Sequence, residues 1–520
     1  MSFDPNSPYP WQQAAPAKDP WQQAAPAKAA AQETTTPPPN GWSLPPLPFS
    51  GGEFLAWLVI IGFAGLLFFM NVTADPKKEE RDLAQPATEV SNAELIGKIA
   101  LFLDKNAPQY TQGEELDKLL DQLDSGPLEQ RYCQVLAINE FLGPEKALEQ
   151  LDNIDEFVSK KNYQPNERQT RLNELLRRLL EAREDDALDS ETLTSDEQEY
   201  LKKQLRWFGK LALNPKEQGG TERDSLQATA NRGTIALMGA IGVGTLLMLS
   251  GFVGLLAFVV LFGTRKLASW MPDRVGTGPI YAETFAIWLV GFFMAQMVLA
   301  TVLGKLNLGL HVQMLALPTV FFVSLVALAW PVFRGVSWAQ VRQDIGWTFD
   351  RPISDIFSGF AAYVSCLPLM GLALLSTVIV AGLFFAGSEG NELAGSPGPI
   401  HPIIGYISSG DWFVIGLIFV STCVAAPIVE ETMFRGVLFR SLRDRSAGLG
   451  RIVSVAFSAL LNSLVFAAIH PQGAFGIPVL TTLAVGFSLA RQWRGSLVAP
   501  IFMHFLNNFL VTTFAVLLMA

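Results

Sequence analysis

Apolar and polar positions along this chain segregate into long blocks. Runs of 16 or more mostly apolar residues occupy 54–70, 234–263, 285–303, 312–332, 356–387, 412–429, 452–469, 475–490 and 497–519. A helix needs about 20 residues to cross a bilayer, where only helices and closed barrels satisfy all their backbone groups. The blocks predict an all-α, polytopic membrane helix bundle of about nine spans. Residues 54–70 form a first, retained anchor, 234–410 hold additional membrane helices, and 411–519 hold the last group of them.

The longest interruption, residues 75–233, is patterned differently. Leu172, Leu175, Leu176, Leu179 and Leu180 fall at helical spacing, and Thr194 with Glu197, or Ser195 with Gln198, offers a capping box. The piece "RYCQVLAINEFLGPEKALEQL" reads as a helical hairpin, but no second copy follows at a fixed period, so an inserted soluble helical domain of generic bundle type is expected. Its 33 acidic and 22 basic residues supply essentially all of the formal net charge of −10. That balance leaves no basic nucleic-acid surface.

Residues 1–53 are rich in Pro, Ala and Gln, and "PWQQAAPAK" occurs at Pro10 to Lys18 and again at Pro20 to Lys28. Such a composition cannot bury a core, so the segment reads as a disordered, low-complexity tail. Half of the 520 residues are hydrophobic, too many for an ordinary soluble enzyme. Cys133, Cys366 and Cys423 show no metal or redox spacing.

Lys and Arg counting sets the orientation. One set of loops holds Arg265, Lys266, Arg274, Arg334, Arg342, Arg351, Arg435, Arg440, Arg443, Arg445, Arg451, Arg491 and Arg494; the opposite set, the long polar region aside, holds only Lys305. The first set is therefore expected to be cytoplasmic. With nine spans the tail is then inside, and the 75–233 domain is extracytoplasmic.

Charge changes the picture most in "APIVEETMFRG", Ala426 to Gly436. A charged side chain at mid-membrane costs roughly 2.5 to 3.5 kcal/mol, so Glu430, Glu431 and Arg435 need partners, water or a function. Residues four apart share a helix face, whereas neighbours point about 100° apart. Glu431 can therefore pair with Arg435, while Glu430 points elsewhere. If Arg440 marks the interface, Glu430 lies about 15 Å deep.

Of four histidines, two lie in membrane segments. His504 and Asn508 stand one turn apart, about 12 Å from Ser496. His470 follows an i, i+4 line of Ser454, Ser458, Asn462 and Phe466 that could border a wet cavity, and Pro471 predicts that the helix stops there. The depths of these groups do not all agree. Counted from Arg451, His470 lies roughly 28 Å along, near the far surface, so a meeting with Glu430 requires a helix that starts above the membrane or tilts strongly. His311 and His401 sit in outer loops without evident partners.

A desolvated glutamate, two histidines and an asparagine suit amide hydrolysis: Glu430 takes a proton from a water held by His470, while His504 and Asn508 steady the oxyanion. Glu430, His470 and His504 would also suit zinc, or another divalent metal, with an open position, although no HExxH occurs and the metal-free account is preferred. Other readings stand beside these. The Glu431–Arg435 pair can be structural, His504 with Asn508 can be interhelical hydrogen-bonding glue, His470 can merely cap a helix, and Glu430 can serve a proton-coupled transporter.

Taken together, "EETMFRG", "FAAIH" and "HFLNN" resemble the three signature motifs, EExxxR, FxxxH and HxxxN, of the CPBP family, the CAAX prenyl proteases and bacteriocin-processing Abi proteins. The resemblance covers 411–519, a CPBP-like catalytic membrane core. It implies an intramembrane endopeptidase with catalytic Glu430, His470, His504 and Asn508, supported by Glu431 and Arg435; family members are often called metalloproteases, whereas the reading of the residues preferred above requires no cofactor. It implies a membrane-associated protein or peptide as substrate; the twin tail repeats and the acidic domain look like bacterial accessories, so an integral protein of a bacterial inner (plasma) membrane is expected. A catalytically silent scaffold or immunity-type binding protein of the same fold is the alternative. The resemblance does not reach the tail or the 75–233 domain; for the latter a protein partner is the expectation.

Overall fold

The computed structural model describes residues 50–73, 88–124, 127–185, 192–216, 219–264, 266, 271, 276–306, 309–385, 411–470 and 473–519. Most of the tail with its repeat, and His401, lie outside the described residues. Among those residues there is no strand.

Helix α1 (Gly51–Thr73) is followed by six polar helices: α2 (Thr88–Asn106), α3 (Glu114–Asp121), α4 (Leu128–Leu142), α5 (Pro144–Lys160), α6 (Glu167–Glu184) and α7 (Ser195–Leu213). Their leucines make one core. Leu172, Leu175, Leu176, Leu179 and Leu180 of α6 are all buried, together with Tyr132 and Cys133 of α4 and Phe208 of α7. The hairpin between α4 and α5 turns at Gly143, whose φ of 95° is a conformation that favours glycine. Of the two capping boxes offered before α7, the one formed is Thr194 with Glu197.

The expected domain boundary at 233/234 falls inside a single helix, α8 (Thr221–Gly263). Arg223, Leu226 and Ala230 are buried, the last two in the polar domain's core, and the same helix then continues through its apolar run. At 1.5 Å per residue its length is roughly 65 Å.

The remaining helices are α9 (Gly278–Leu306), α10 (Leu310–Phe333), α11 (Trp338–Ile345), α12 (Pro352–Phe385), α13 (Trp412–Leu449), α14 (Arg451–Ala468), α15 (Gly473–Arg494) and α16 (Val498–Met519). Among the described residues eight helices are long and apolar enough to cross a membrane. The ninth stretch expected, 475–490, lies within α15. The chain is an integral membrane protein with an all-α polytopic bundle. In it α15 packs on both α14 and α16, and α12 packs on α8, α15 and α16.

Arg440 is fully buried in protein and ion-paired with Asp444 at 2.5 Å. The Ser454–Asn462 stripe does not border a wet cavity. Ser454 and Ser458 bond Ser446 at 2.6 and 3.0 Å, Arg443 also reaches Ser454, and Asn462 donates to Ser488 at 3.1 Å. The contacts of Ser446 and Arg443 set the register of α14 against α13, and Asn462 ties α14 to α15. From Arg443 back to Glu430 is roughly 20 Å, and from Ser454 on to His470 roughly 24 Å. Both therefore end at one level, because both helices begin counting from a protein-covered polar layer.

Candidate active site

Six segments make up α13, the last a 3-10 turn at Ala447–Leu449. Regular turns at Trp412–Phe419, Ala426–Glu431 and Phe439–Ser446 are separated by wide π turns, bonded i to i+5, at Val420–Ala425 and Thr432–Leu438. The glutamate pair thus sits on one short α segment between two wide ones, a distortion found frequently at functional sites.

Glu431 and Arg435 are both fully buried and pair at 2.9 Å, as their spacing predicts. The same oxygen of Glu431 also meets Nδ1 of His504 at 2.9 Å. Sequence spacing does not reveal this second bond, since 73 residues separate the partners. Arg435 donates further to the Ala484 carbonyl at 3.2 Å, and its guanidinium lies 4.6 Å from the Phe466 ring and 5.0 Å from Phe487. The aromatic walls supply the cation with π faces where lipid would offer nothing. Phe487 also stacks on His504 at 5.3 Å, and Phe466 lies 4.1 Å from His470.

Glu430 faces the other way. Its Oε2 lies 3.6 Å from Nε2 of His470 and 4.0 Å from Nε2 of His504, and it has no hydrogen-bond partner within the protein. His470 follows the end of α14 at Ala468 and bonds the Phe466 carbonyl through Nδ1 at 2.6 Å. A carbonyl only accepts, so Nδ1 carries a proton and Nε2 is the ring atom turned toward Glu430. One carboxylate oxygen and two ring nitrogens therefore converge from α13, α16 and the end of α14.

Asn508 does not join that convergence directly. Its Nδ2 donates to the Thr422 carbonyl at 2.8 Å, and its Oδ1 accepts from Asn507 at 3.1 Å. His311 corrects the expectation that it has no partner: its Nε2 meets Asp411 at 2.6 Å, and Asp411 caps the start of α13 through the Phe413 and Val414 amides. The partner is 100 residues away in sequence, so no local pattern announces it. Thr422 and Phe487 were also missed, and of the two only Thr422 carries a signal, its spacing of five from Pro427.

Among the described residues no group of three His, Cys, Asp or Glu side chains is arranged to hold a metal ion, Glu430, His470 and His504 included.

A helical membrane protein with two glutamates and two histidines gathered in its interior is a class that comparison with known proteins narrows. Residues 412–510 match the family described as type II CAAX prenyl endopeptidase Rce1-like. The chain is 39% identical over 103 residues to the membrane-embedded CAAX protease MroQ of Staphylococcus aureus (strain USA300), covering 20% of this chain and 40% of that one. It is 32% identical over 83 residues to an uncharacterized 24.3 kDa protein of Escherichia coli, covering 16% and 36%. The chain thus spans about two fifths of the length of these curated relatives. No solved structure matches it. Its C-terminal segment, 412–510, is thus similar to the CPBP/CAAX protease family.

Proposed function

We propose that the protein is an intramembrane endopeptidase that hydrolyses a peptide bond of a membrane-associated protein or peptide. The observation that supports this most is the unpartnered Oε2 of Glu430, buried and facing Nε2 of both His470 and His504. A water between them can give its proton to Glu430 while its oxygen attacks the carbonyl carbon. His470 orients the water through its Nε2. Glu430 then passes the proton to the departing amine nitrogen as the C–N bond breaks.

His504 faces the forming oxyanion. With Nδ1 donating to Glu431, a hydrogen bond from Nε2 needs a ring that carries both protons, and Glu431 supplies the countercharge. Glu431 and Arg435 hold His504 rather than touch substrate. The reading includes a bacterial inner membrane, an extracytoplasmic polar domain and a site reached from the cytoplasmic side.

Glu430→Gln keeps the shape and removes the base, so cleavage should fall roughly 10²- to 10⁴-fold. Comparing membrane proteomes of cells carrying the wild type and this variant identifies proteins that accumulate uncleaved. If none accumulates while the variant folds and leaves the phenotype unchanged, the same fold acts as a silent scaffold and the protease reading fails.

A further inference from the structure

The wide turn before the glutamates leaves one carbonyl without its usual donor. Within Val420–Ala425 the bonding runs five residues back, and the Ala426 amide goes to the Ser421 carbonyl. The next carbonyl, Thr422, would take its bond from residue 427. That residue is Pro427, which has no N–H. The donor four residues on, Ala426, is already used. In a bilayer interior no water stands in for the missing group.

Asn508 fills the gap. Its Nδ2 donates to the Thr422 carbonyl at 2.8 Å, and its Oδ1 is held by Asn507 at 3.1 Å, so the amide is fixed at both ends. Asn508 lies one turn beyond His504 on α16, and Pro427 lies three residues before Glu430 on α13. The bond therefore sets the height at which His504 meets Glu431 and His504 and His470 face Glu430. The Thr422 hydroxyl adds a contact to Thr512 at 3.4 Å one turn further along α16.

We propose that Pro427, Thr422 and Asn508 form a positioning device: proline opens a carbonyl in the glutamate helix, and Asn508 uses it to lock α16 in register. Its functional consequence rests on the protease reading; the lock itself does not.

The test is a double-mutant cycle on the full-length protein in detergent micelles, with wild type, Asn508→Ala, Pro427→Ala and the double variant. An alanine at 427 restores the amide, so it should make Asn508 dispensable. Asn508→Ala alone should lower Tm and shift the ring ¹⁵N resonances of His504; in the Pro427→Ala background most of both effects should vanish. A single variant that fails to fold beside a double variant that folds gives the same answer. Equal losses in both backgrounds, or failure of both to fold, overturn the proposal. Neither readout needs a substrate, so the lock is decided even if the protease reading fails. On a protein found to accumulate with Glu430→Gln, Asn508→Ala should lower kcat roughly 10²-fold with KM little changed. The double variant should recover most of that loss. A kcat equally low in both backgrounds overturns positioning in favour of direct contact with the reacting oxygen.

Discussion

Helices α8 and α13 are both long and strongly apolar, yet the first has 6% of its most apolar window buried in protein and the second 50%. Along α8, Ile241, Leu246, Val253 and Leu256 face outward, and no charged residue occurs between Thr234 and Gly263. Along α13, Glu431, Arg435, Arg440, Arg443 and Asp444 are all fully buried. Apolarity thus locates both helices in the membrane but does not say what they face. Charges are confined to the helix that other helices cover, because there each finds a partner that lipid lacks.

The largest expected effect breaks the covered helix. Glu431→Gln leaves Arg435 buried without its carboxylate and should destabilise the protein by about 3–5 kcal/mol, read as loss of stability in mixed micelles. Arg435→Met added to it should recover much of that, since an uncharged pair leaves no uncompensated charge. A null result for the single variant would mean that water reaches the pair.

The opposite insult is Leu246→Arg on α8, which should raise the insertion free energy by about 2.5–3.5 kcal/mol, measurable with glycosylation-tagged insertion reporters. Normal insertion would mean that α8 has a protein partner on that face. Truncations sharpen the contrast further. Leu438→Ala in α13 should cost about 2 kcal/mol, near the low end for buried leucine because moving from lipid to protein brings no hydrophobic gain. Leu246→Ala should stay within about 0.5 kcal/mol.

The smallest effect lies at the start of α13. His311 and the Phe413 and Val414 amides hold the Asp411 carboxyl below its ordinary range. A carboxylate lowered in this way stabilises the fold above its unfolded pKa of about 3.9, and that contribution is lost as pH falls through the lowered folded value. Amide exchange at Phe413 and Val414 should be insensitive to pH near neutrality, once corrected for intrinsic rates, and lose protection only in strong acid. Asp411→Asn should remove that dependence.

Much of this was legible in the sequence because lipid enforces it. Helices follow from unbroken apolar runs, and the Glu431–Arg435 pair follows from spacing alone. The motif residues Glu430, His470 and His504 do meet, as their resemblance to a family implied. What failed was the choice of reference level. Arg440, the reference for the depth of Glu430, is sealed in protein by Asp444, whereas Arg451, the reference for His470, is exposed. Bonds between distant segments were also invisible. His311 with Asp411, and Glu431 with His504, depend on which helices are neighbours, and nothing local encodes that. Pro427 was in plain view, but its consequence needs the wide turn before it.

Helix α8 is one uninterrupted rod shared by the polar domain and the bundle, and it touches α12 at glycines. Added side-chain carbons at Gly251 and Gly254 would lie 2.4 Å from the Val364 carbonyl and the Ser365 hydroxyl. A tilt of about 10° about Gly251 would carry Thr221, roughly 45 Å away, through roughly 8 Å. Without a hinge in the shaft, the lobe at one end cannot swing unless α8 turns against α12, the helix that also packs on α15 and α16.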